Sequence, residues 1–433
     1  MSAAPPGRRA KKGPRPLPHP FHNPRGMVIY ICICNFDRAP GAPARARVLG
    51  RSAQRGGAGP HRLFFPIGKE YSEIMAKQKV CVLFGGVSSE HEVSLMSASS
   101  VIRNIPADRY EVIPVGITKK GRWLYYPGPV ANLADGSWEQ YPDCVPAFIS
   151  PDATDRGIVK CVDGAFTLQK VDVVFPVLHG KGGEDGTVQG LLELAGIPYV
   201  GCGVLSSALC MDKAAANLVM DAAGIDRCEW DYMTRAELPG FDAVADRLER
   251  RLGWPIFVKP ANAGSSVGIS KAHDRRQLLD AVHLALAHDT RIVFERFVTG
   301  QEVECAVMGN DGPQGTLPGE ILASQEFYTY DDKYIAGTSR VVIPAQLSPE
   351  KLEEVRATAV RAYRTLCCTG LARVDFFVEA GTGRVLLNEI NTMPGFTDIS
   401  MYPKLMLHAG MSYGGLLDRL IQLAFERKET PNG

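Results

Sequence analysis

From Val80 onward the apolar positions fall into two rhythms, short continuous or alternating runs closed by glycine and longer stretches of 3.6-residue period. Val80 to Phe84 is a buried-strand run that enters a Gly-Gly turn, and SSEHEVSLMSASSVIRNI after it predicts a helix beginning near Glu90. Val171 to Leu178 repeats the scheme: an apolar run suited to a parallel strand, closed by His179, then the turn GKGGEDG and a helix containing Gln189 to Leu194. EVIPVGITKKGRW reads as a strand, and the Pro/Asp-rich stretch from Tyr125 to Asp155 as a variable insertion. After Gly203, SSALCMDKAAANLVMDAAGI predicts one helix ended by Gly224. PIFVKPANAGSSVGISKA predicts strand, glycine/serine loop and strand, and IVFERFVTGQEVECAVMG two strands about a turn at Thr299-Gly300. EFYTYDDKYIAGTSR is poorly patterned and reads as a long mobile loop. A helix N-capped by Ser348 follows, and MSYGGLLDRLIQLAFER closes the chain as an amphipathic helix. The mixture places the chain in the α/β class, α+β overall.

The stretch Leu371 to Gly395 organises the rest. Phe376, Val378, Val385 and Leu387 suit two strands, and Gly381-Thr-Gly383 lets one fold back on the other. Asp375 then comes from one strand and Glu389 and Asn391 from the next, since residues two apart share a face. Oxygen-only donors at that density suit a hard cation such as Mg²⁺. Standing alone, the same residues read first as ordinary solvent-facing strand polars.

Composition narrows the class. Residues 1–74 hold 13 Lys and Arg against three Asp and Glu, and 11 of the 30 prolines, so the remainder carries a balance of −9 behind a net charge of +1. Such a front segment buries little apolar surface. It reads as a disordered basic extension, or as sequence upstream of a true start at Met75, where MAKQKVCVLFGG resembles a beginning. Its charge alone would suit nucleic acid or anionic lipid, the weaker alternative. Eleven scattered cysteines with no CxxC pair argue against a disulfide framework or zinc site. The apolar run Met27 to Cys34 is too short to span a bilayer, so a cytoplasmic protein is expected.

Other polar positions gain meaning together. Gly264-Ser265-Ser266-Val267-Gly268 is a small-residue loop whose N–H and hydroxyl groups can cover phosphates, with Lys259 as a point charge, though a plain hairpin has the same pattern. Glu295 and Glu302 flank the turn at Thr299 as possible nucleotide acceptors or as solvated strand-end charges. Glu90 stands in a first helical turn, where a carboxylate is favourable in any case. His179 serves as a strand-closing turn residue or a ligand contact.

The ordered set FGGVSSEHEVSL, LHGKGGEDGTVQG, MDK, VKPANAGSSVG, FYTYDDKY, ARVDFF and NEINTMPGFT resembles the D-alanine:D-alanine ligases, ATP-grasp enzymes of bacterial cell-wall synthesis, over nearly all of residues 79–427. The resemblance implies an ATP-grasp fold of three domains, 75–202, 203–300 and 301–433, the first an open α/β sheet. It implies ATP and two Mg²⁺ ions (Mn²⁺ as substitute), two D-alanines as substrates, a homodimer, and no nucleic acid or membrane partner. Lys213, Lys259, Ser266 and Lys333 would contact ATP phosphates, Glu295 the adenine, Glu302 the ribose, and Asp375, Glu389 and Asn391 the metal. Arg373 and the Gly395 N–H would hold an oxyanion. Glu90 would bind the first ammonium and connect through Ser265 to Tyr334, with His179 near the first substrate and Ser400 and Met401 at the second. The pair Lys333-Tyr334 favours an amine acceptor over D-lactate, and apolar Met401 weighs against D-serine. Ala261-Asn-Ala263 is uncharged where some relatives carry charge.

Overall fold

The computed structural model describes residues 76–264, 267–322 and 340–429. Ser265, Ser266, Lys333, Tyr334 and the basic front segment lie outside the described residues. The chain divides into two units, Met1–Ser72 and Glu73–Gly433, and the elements described here belong to the second.

The first sheet is built from β1 (Gln78–Gly85), β2 (Tyr110–Ile117), β3 (Trp123–Tyr125), β4 (Val145–Ile149), β5 (Gly157–Val162), β6 (Ala165–Lys170) and β7 (Val173–Pro176), with α1 (His91–Asn104) and α2 (Ala131–Ala134) between them. Its order is β6-β5-β4-β3-β2-β1-β7, with β1 parallel to both neighbours. Val80, Val82 and Phe84 face one apolar cluster with Leu95 and Ala98 of α1, while Cys81 and Leu83 face a second. A strand covered on both faces needs an unbroken apolar run, which is what VCVLF supplies. The stretch expected to be an insertion instead contributes β4 and leads into β5 and β6, extending the sheet by antiparallel pairing. Asp163 and Gly164, at φ 50° and 78°, form the two-residue turn between β5 and β6. The helix α3 (Thr187–Leu194) follows β7 and buries Val188 and Leu192 in the second cluster.

The helix predicted after Gly203 is two, α4 (Val204–Met211) and α5 (Lys213–Ala222). Asp212 breaks them because its backbone is extended and its Oδ1 accepts the Ala215 N–H at 3.0 Å, which begins a new helix. Gly224, at φ 63°, ends α5 as expected. A four-stranded antiparallel sheet follows from β8 (Trp230–Thr234), β9 (Ile256–Pro260), β10 (Ser270–Ala272) and β11 (Arg291–Arg296), with α6 (Phe241–Leu252) and α7 (Arg275–Leu286) packed on it.

The Thr299-Gly300 turn passes the chain to another sheet: β12 (Gly300–Met308), β13 (Gln314–Gly315), β14 (Gly319–Leu322), β15 (Arg340–Val342), β16 (Leu371–Glu379) and β17 (Val385–Asn391). Its order is β15-β14-β12-β16-β17, with β13 on β12. The helix α8 (Pro349–Thr365), capped by Ser348, covers one face. The predicted hairpin of β16 and β17 carries a bulge: Phe376 pairs with Leu387 but Asp375 with Glu389, leaving Asn388 as the extra residue. Helices α9 (Met401–His408) and α10 (Tyr413–Glu429) return to the first sheet, where Phe396 meets Phe175 edge to face at 5.8 Å. No helix among the described residues is long and apolar enough to cross a membrane.

Candidate active site

The bulge phases the last strand. Val385 and Leu387 enter the core on one side of it and Ile390 on the other, so Glu389 and Asn391 share the opposite face with Arg373 and Asp375. Arg373 is clamped by Asp375, with Nε donating to Oδ1 at 2.8 Å and Nη2 to Oδ2 at 2.7 Å. Asn391 Nδ2 also donates to Asp375 Oδ2, at 3.0 Å. Glu304 of β12 brings Oε2 to 2.9 Å from Arg373 Nε. Burial works against the guanidinium, but Asp375 and then Glu304 outweigh it and hold its pKa well above the usual arginine value. Arg373 is a fixed positive charge.

That charge lines a cavity with Glu90, His179, Lys213, Gly264, Glu389, Asn391, Gly395, Ser400 and Met401, bringing nine of the predicted site residues and the start of the glycine/serine loop to one place. Glu90 is only 8% exposed. Glycine surrounds it for a steric reason: a Cβ at Gly180 or Gly264 would come within 2.5 or 2.6 Å of its Oε2. The glycine/serine loop therefore begins against the Glu90 carboxylate. At Gly395 a Cβ would stand 2.7 Å from Ser400 Oγ, which already accepts the Thr397 N–H at 3.1 Å.

His179 has both ring nitrogens engaged, Nδ1 with Met393 O at 2.9 Å and Nε2 with Ser97 Oγ at 3.1 Å. Burial lowers its pKa despite the nearby Glu90 charge, which favours a neutral ring donating from Nδ1 and accepting at Nε2. Ser97 Oγ also accepts the Phe396 N–H at 3.2 Å, so this pair fixes both ends of residues 393–396. Glu184 was not anticipated from the sequence. It accepts the Gly180 N–H at 2.7 Å and the Met393 N–H at 3.1 Å, tying the GKGGEDG turn to the same segment. Burial first, and the Glu90 charge second, push its carboxyl up to about 8.

Lys259, Glu295, Glu302 and Asp375 are not among the lining residues of this cavity. Lys259 Nζ meets Glu295 Oε2 at 2.5 Å and reaches the bulged Asn388 Oδ1 at 3.4 Å. Burial opposes its charge, and Glu295 with Glu389 more than offsets that, raising its pKa. Glu302 pairs with Phe377 across the strands, two residues before Glu304. Lys213 Nζ donates to Ala263 O at 2.8 Å and stands 3.7 Å from Glu389 Oε2.

Among the described residues no group of three or more His, Cys, Asp or Glu is arranged to hold a metal ion. Two carboxylates and an amide, with Asp375 opposite Glu389 and Arg373 opposite Asn391, nevertheless suit in kind a cation that completes its shell with water and phosphate. Asp375 lies beneath the cavity, 3% exposed, with both oxygens engaged. Oδ1 accepts one hydrogen bond and Oδ2 two, so a cation at this carboxylate would compete with Arg373 for its charge.

The model of the D-ala D-ala ligase N-terminus matches residues 79–202, and that of the D-ala D-ala ligase C-terminus residues 219–422. The chain belongs to the D-alanine–D-alanine ligase family. The family's enzyme from Acetivibrio thermocellus is 50% identical over 363 residues, covering 81% of this chain and 96% of that one. The enzyme from Caldicellulosiruptor bescii is 52% identical over 354 residues, with coverage of 82% and 96%. Among solved structures, a D-Ala:D-Ser ligase from Enterococcus faecalis aligns with a TM-score of 0.74 at 41% identity over 80% of this chain and 99% of that one. The D-alanine–D-alanine ligase from Coxiella burnetii aligns at 0.70 and 35% identity over 82% and 95%. The architecture is accordingly the ATP-grasp fold of this ligase family.

Proposed function

We infer that the chain joins two D-alanines in an ATP-dependent, ADP-forming reaction that supplies a dipeptide for peptidoglycan. The observation supporting it most directly is Arg373, held charged by two carboxylates in the wall that also presents Glu90 and Gly395. Glu90 takes the first ammonium. The first carboxylate attacks the γ-phosphorus, the bond to ADP breaks, and an acyl phosphate forms. The second amine then attacks the acyl carbon; Arg373 and the Gly395 N–H hold the oxyanion, and phosphate leaves.

Lys213, Lys259, Lys333 and Ser266 contact the ATP phosphates, Glu295 the adenine and Glu302 the ribose. Glu295 also holds the Lys259 ammonium, at 2.5 Å. Asp375, Glu389 and Asn391 would hold two Mg²⁺ ions, or Mn²⁺, which when bound draw charge from the phosphates. Ser265 connects Glu90 to Tyr334. His179 shapes the first subsite through residues 393–396, and Ser400 and Met401 line the second. The three domains would be 75–202, 203–300 and 301–433, in a cytoplasmic homodimer.

A second reading has D-serine as acceptor, favoured by the 41% identical D-Ala:D-Ser ligase. Against it stands Met401, apolar and 5% exposed, whose Sδ would lie 2.8 Å from a Cβ at Gly319. Phosphate release and product mass with D-Ala alone, with D-Ala plus D-Ser, and with D-Ala plus D-lactate separate the cases. D-Ala alone should give full turnover and the D-Ala dipeptide; turnover only with a second acceptor would refute the main reading.

A further inference from the structure

Glu304 lies opposite Asp375, and Asp375 opposite Glu389, so three carboxylates stand in a row across β12, β16 and β17. Like charges directly opposite one another are destabilising, and this row is costlier because Glu304 and Asp375 are each 3% exposed. One guanidinium sits on two buried carboxylates: Arg373 Nε is 2.8 Å from Asp375 Oδ1 and 2.9 Å from Glu304 Oε2. A single partner would balance its charge. The second becomes intelligible if the first is needed elsewhere, because a cation on Asp375 competes with Arg373 for the carboxylate that now holds the guanidinium through both oxygens. Released without a substitute, Arg373 would be a buried charge lacking a partner, which is strongly unfavourable.

We propose that Glu304 is a positioning residue that keeps Arg373 in place while Asp375 exchanges the guanidinium for the catalytic cation. The proposal rests on the metal and oxyanion roles inferred above for Asp375 and Arg373. Glu304 lines the same cavity as Arg373, and the role assigned to it runs through Arg373 rather than through substrate. Its effect is on the cost of the exchange.

The test is a Mn²⁺ titration of the full chain with ADP, free Mn²⁺ being counted by electron paramagnetic resonance. Glu304→Gln keeps the size and removes the charge, leaving Arg373 dependent on Asp375. Mn²⁺ binding should weaken about tenfold, the worth of one charge-assisted contact, and kcat should fall while KM for the first D-alanine stays put. In an Arg373→Met background the same substitution should leave Mn²⁺ binding unchanged, because nothing remains to be held. Unchanged affinity in Glu304→Gln overturns the proposal. So does equal weakening with and without Arg373, which would mean that the carboxylate attracts the cation directly. If Glu304→Gln does not fold, Glu304→Asp, which draws the charge back from Nε, is titrated in its place and should weaken binding about threefold; no change there also overturns it. A wild-type chain that binds Mn²⁺ with ADP but forms no D-alanyl dipeptide would defeat the functional reading and leave the Glu304 comparison intact.

Discussion

Asp375 and Glu389 have the same proposed task and very different surroundings, so neutralising each should separate catalysis from stability. Asp375→Asn removes the charge that takes two hydrogen bonds from Arg373 in a buried setting. Stripping one partner from a buried pair costs about 3–5 kcal/mol when the other is left bare; Glu304 remains on Nε, so about 2 kcal/mol is expected. For a unit the size of Glu73–Gly433, an unfolding entropy of about 0.75 kcal/mol/K converts this to a fall of about 3 °C in Tm. The Glu389 side chain is 31% exposed and its Lys213 partner stands 3.7 Å away. Glu389→Gln should cost about 0.5 kcal/mol or less, under about 1 °C. Melting is followed by circular dichroism without nucleotide or metal, beside Mg²⁺-dependent ADP formation. Both variants should lose phosphoryl transfer and only Asp375→Asn should melt early. Equal melting of the two, or an active Asp375→Asn, would refute the reasoning.

Gly264→Ala places a Cβ where only 2.6 Å separates it from Glu90 Oε2, and overpacking of that kind should raise KM for the first D-alanine about tenfold. Steady-state kinetics should show the KM for ATP changed by less than about twofold; the opposite pattern would count against Glu90 as the ammonium site. Glu184 supplies a pH signature, since its carboxyl is pushed from 4.5 up to about 8 in the folded chain. A folded pKa above the unfolded one means that the folded state holds the proton more tightly, so the contribution favours folding below pH 4.5 and is lost as pH rises to about 8. Urea midpoints should decline across that window, and less steeply in Glu184→Gln; identical slopes would contradict the assignment.

Much of this was legible because the informative signals are local. VCVLF, the Gly-Gly turn and the Ser348 cap each act over a few residues, and β1, α1 and α8 form where they direct. The break at Asp212 escaped because MDKAAANL is compatible with a continuous helix, and only the Asp212 cap distinguishes two. The strands within 125–165 were hidden by short length and mixed polarity, although Val162-Asp163-Gly164-Ala165 carried a hairpin signal. At the site, the residue types picked out many of the positions that line one cavity, while their mutual pairing depends on strand register. Glu304 and Glu184 look like ordinary strand and turn carboxylates in the sequence; only the pairing of β12 with β16, and of the 180–184 turn with residue 393, shows what they hold. Parity did contain a hint, since Val385 and Leu387 are apolar and Glu389 and Asn391 polar on the same count of two, a switch that an uninterrupted strand does not make.

The extra residue responsible for that switch gives β17 slack in length beside its most constrained positions. Deleting Asn388 would regularise the ladder with Leu387 still opposite Phe376 and Glu389 still opposite Asp375, at the expense of the contact with Lys259. Deleting Leu386, two positions earlier and chemically blander, would instead turn Leu387 to the opposite face of the sheet and a polar residue into the core. Tolerance to shortening in this strand is therefore set by where the backbone stores a spare residue, and the polar Asn388 is the safer one to lose.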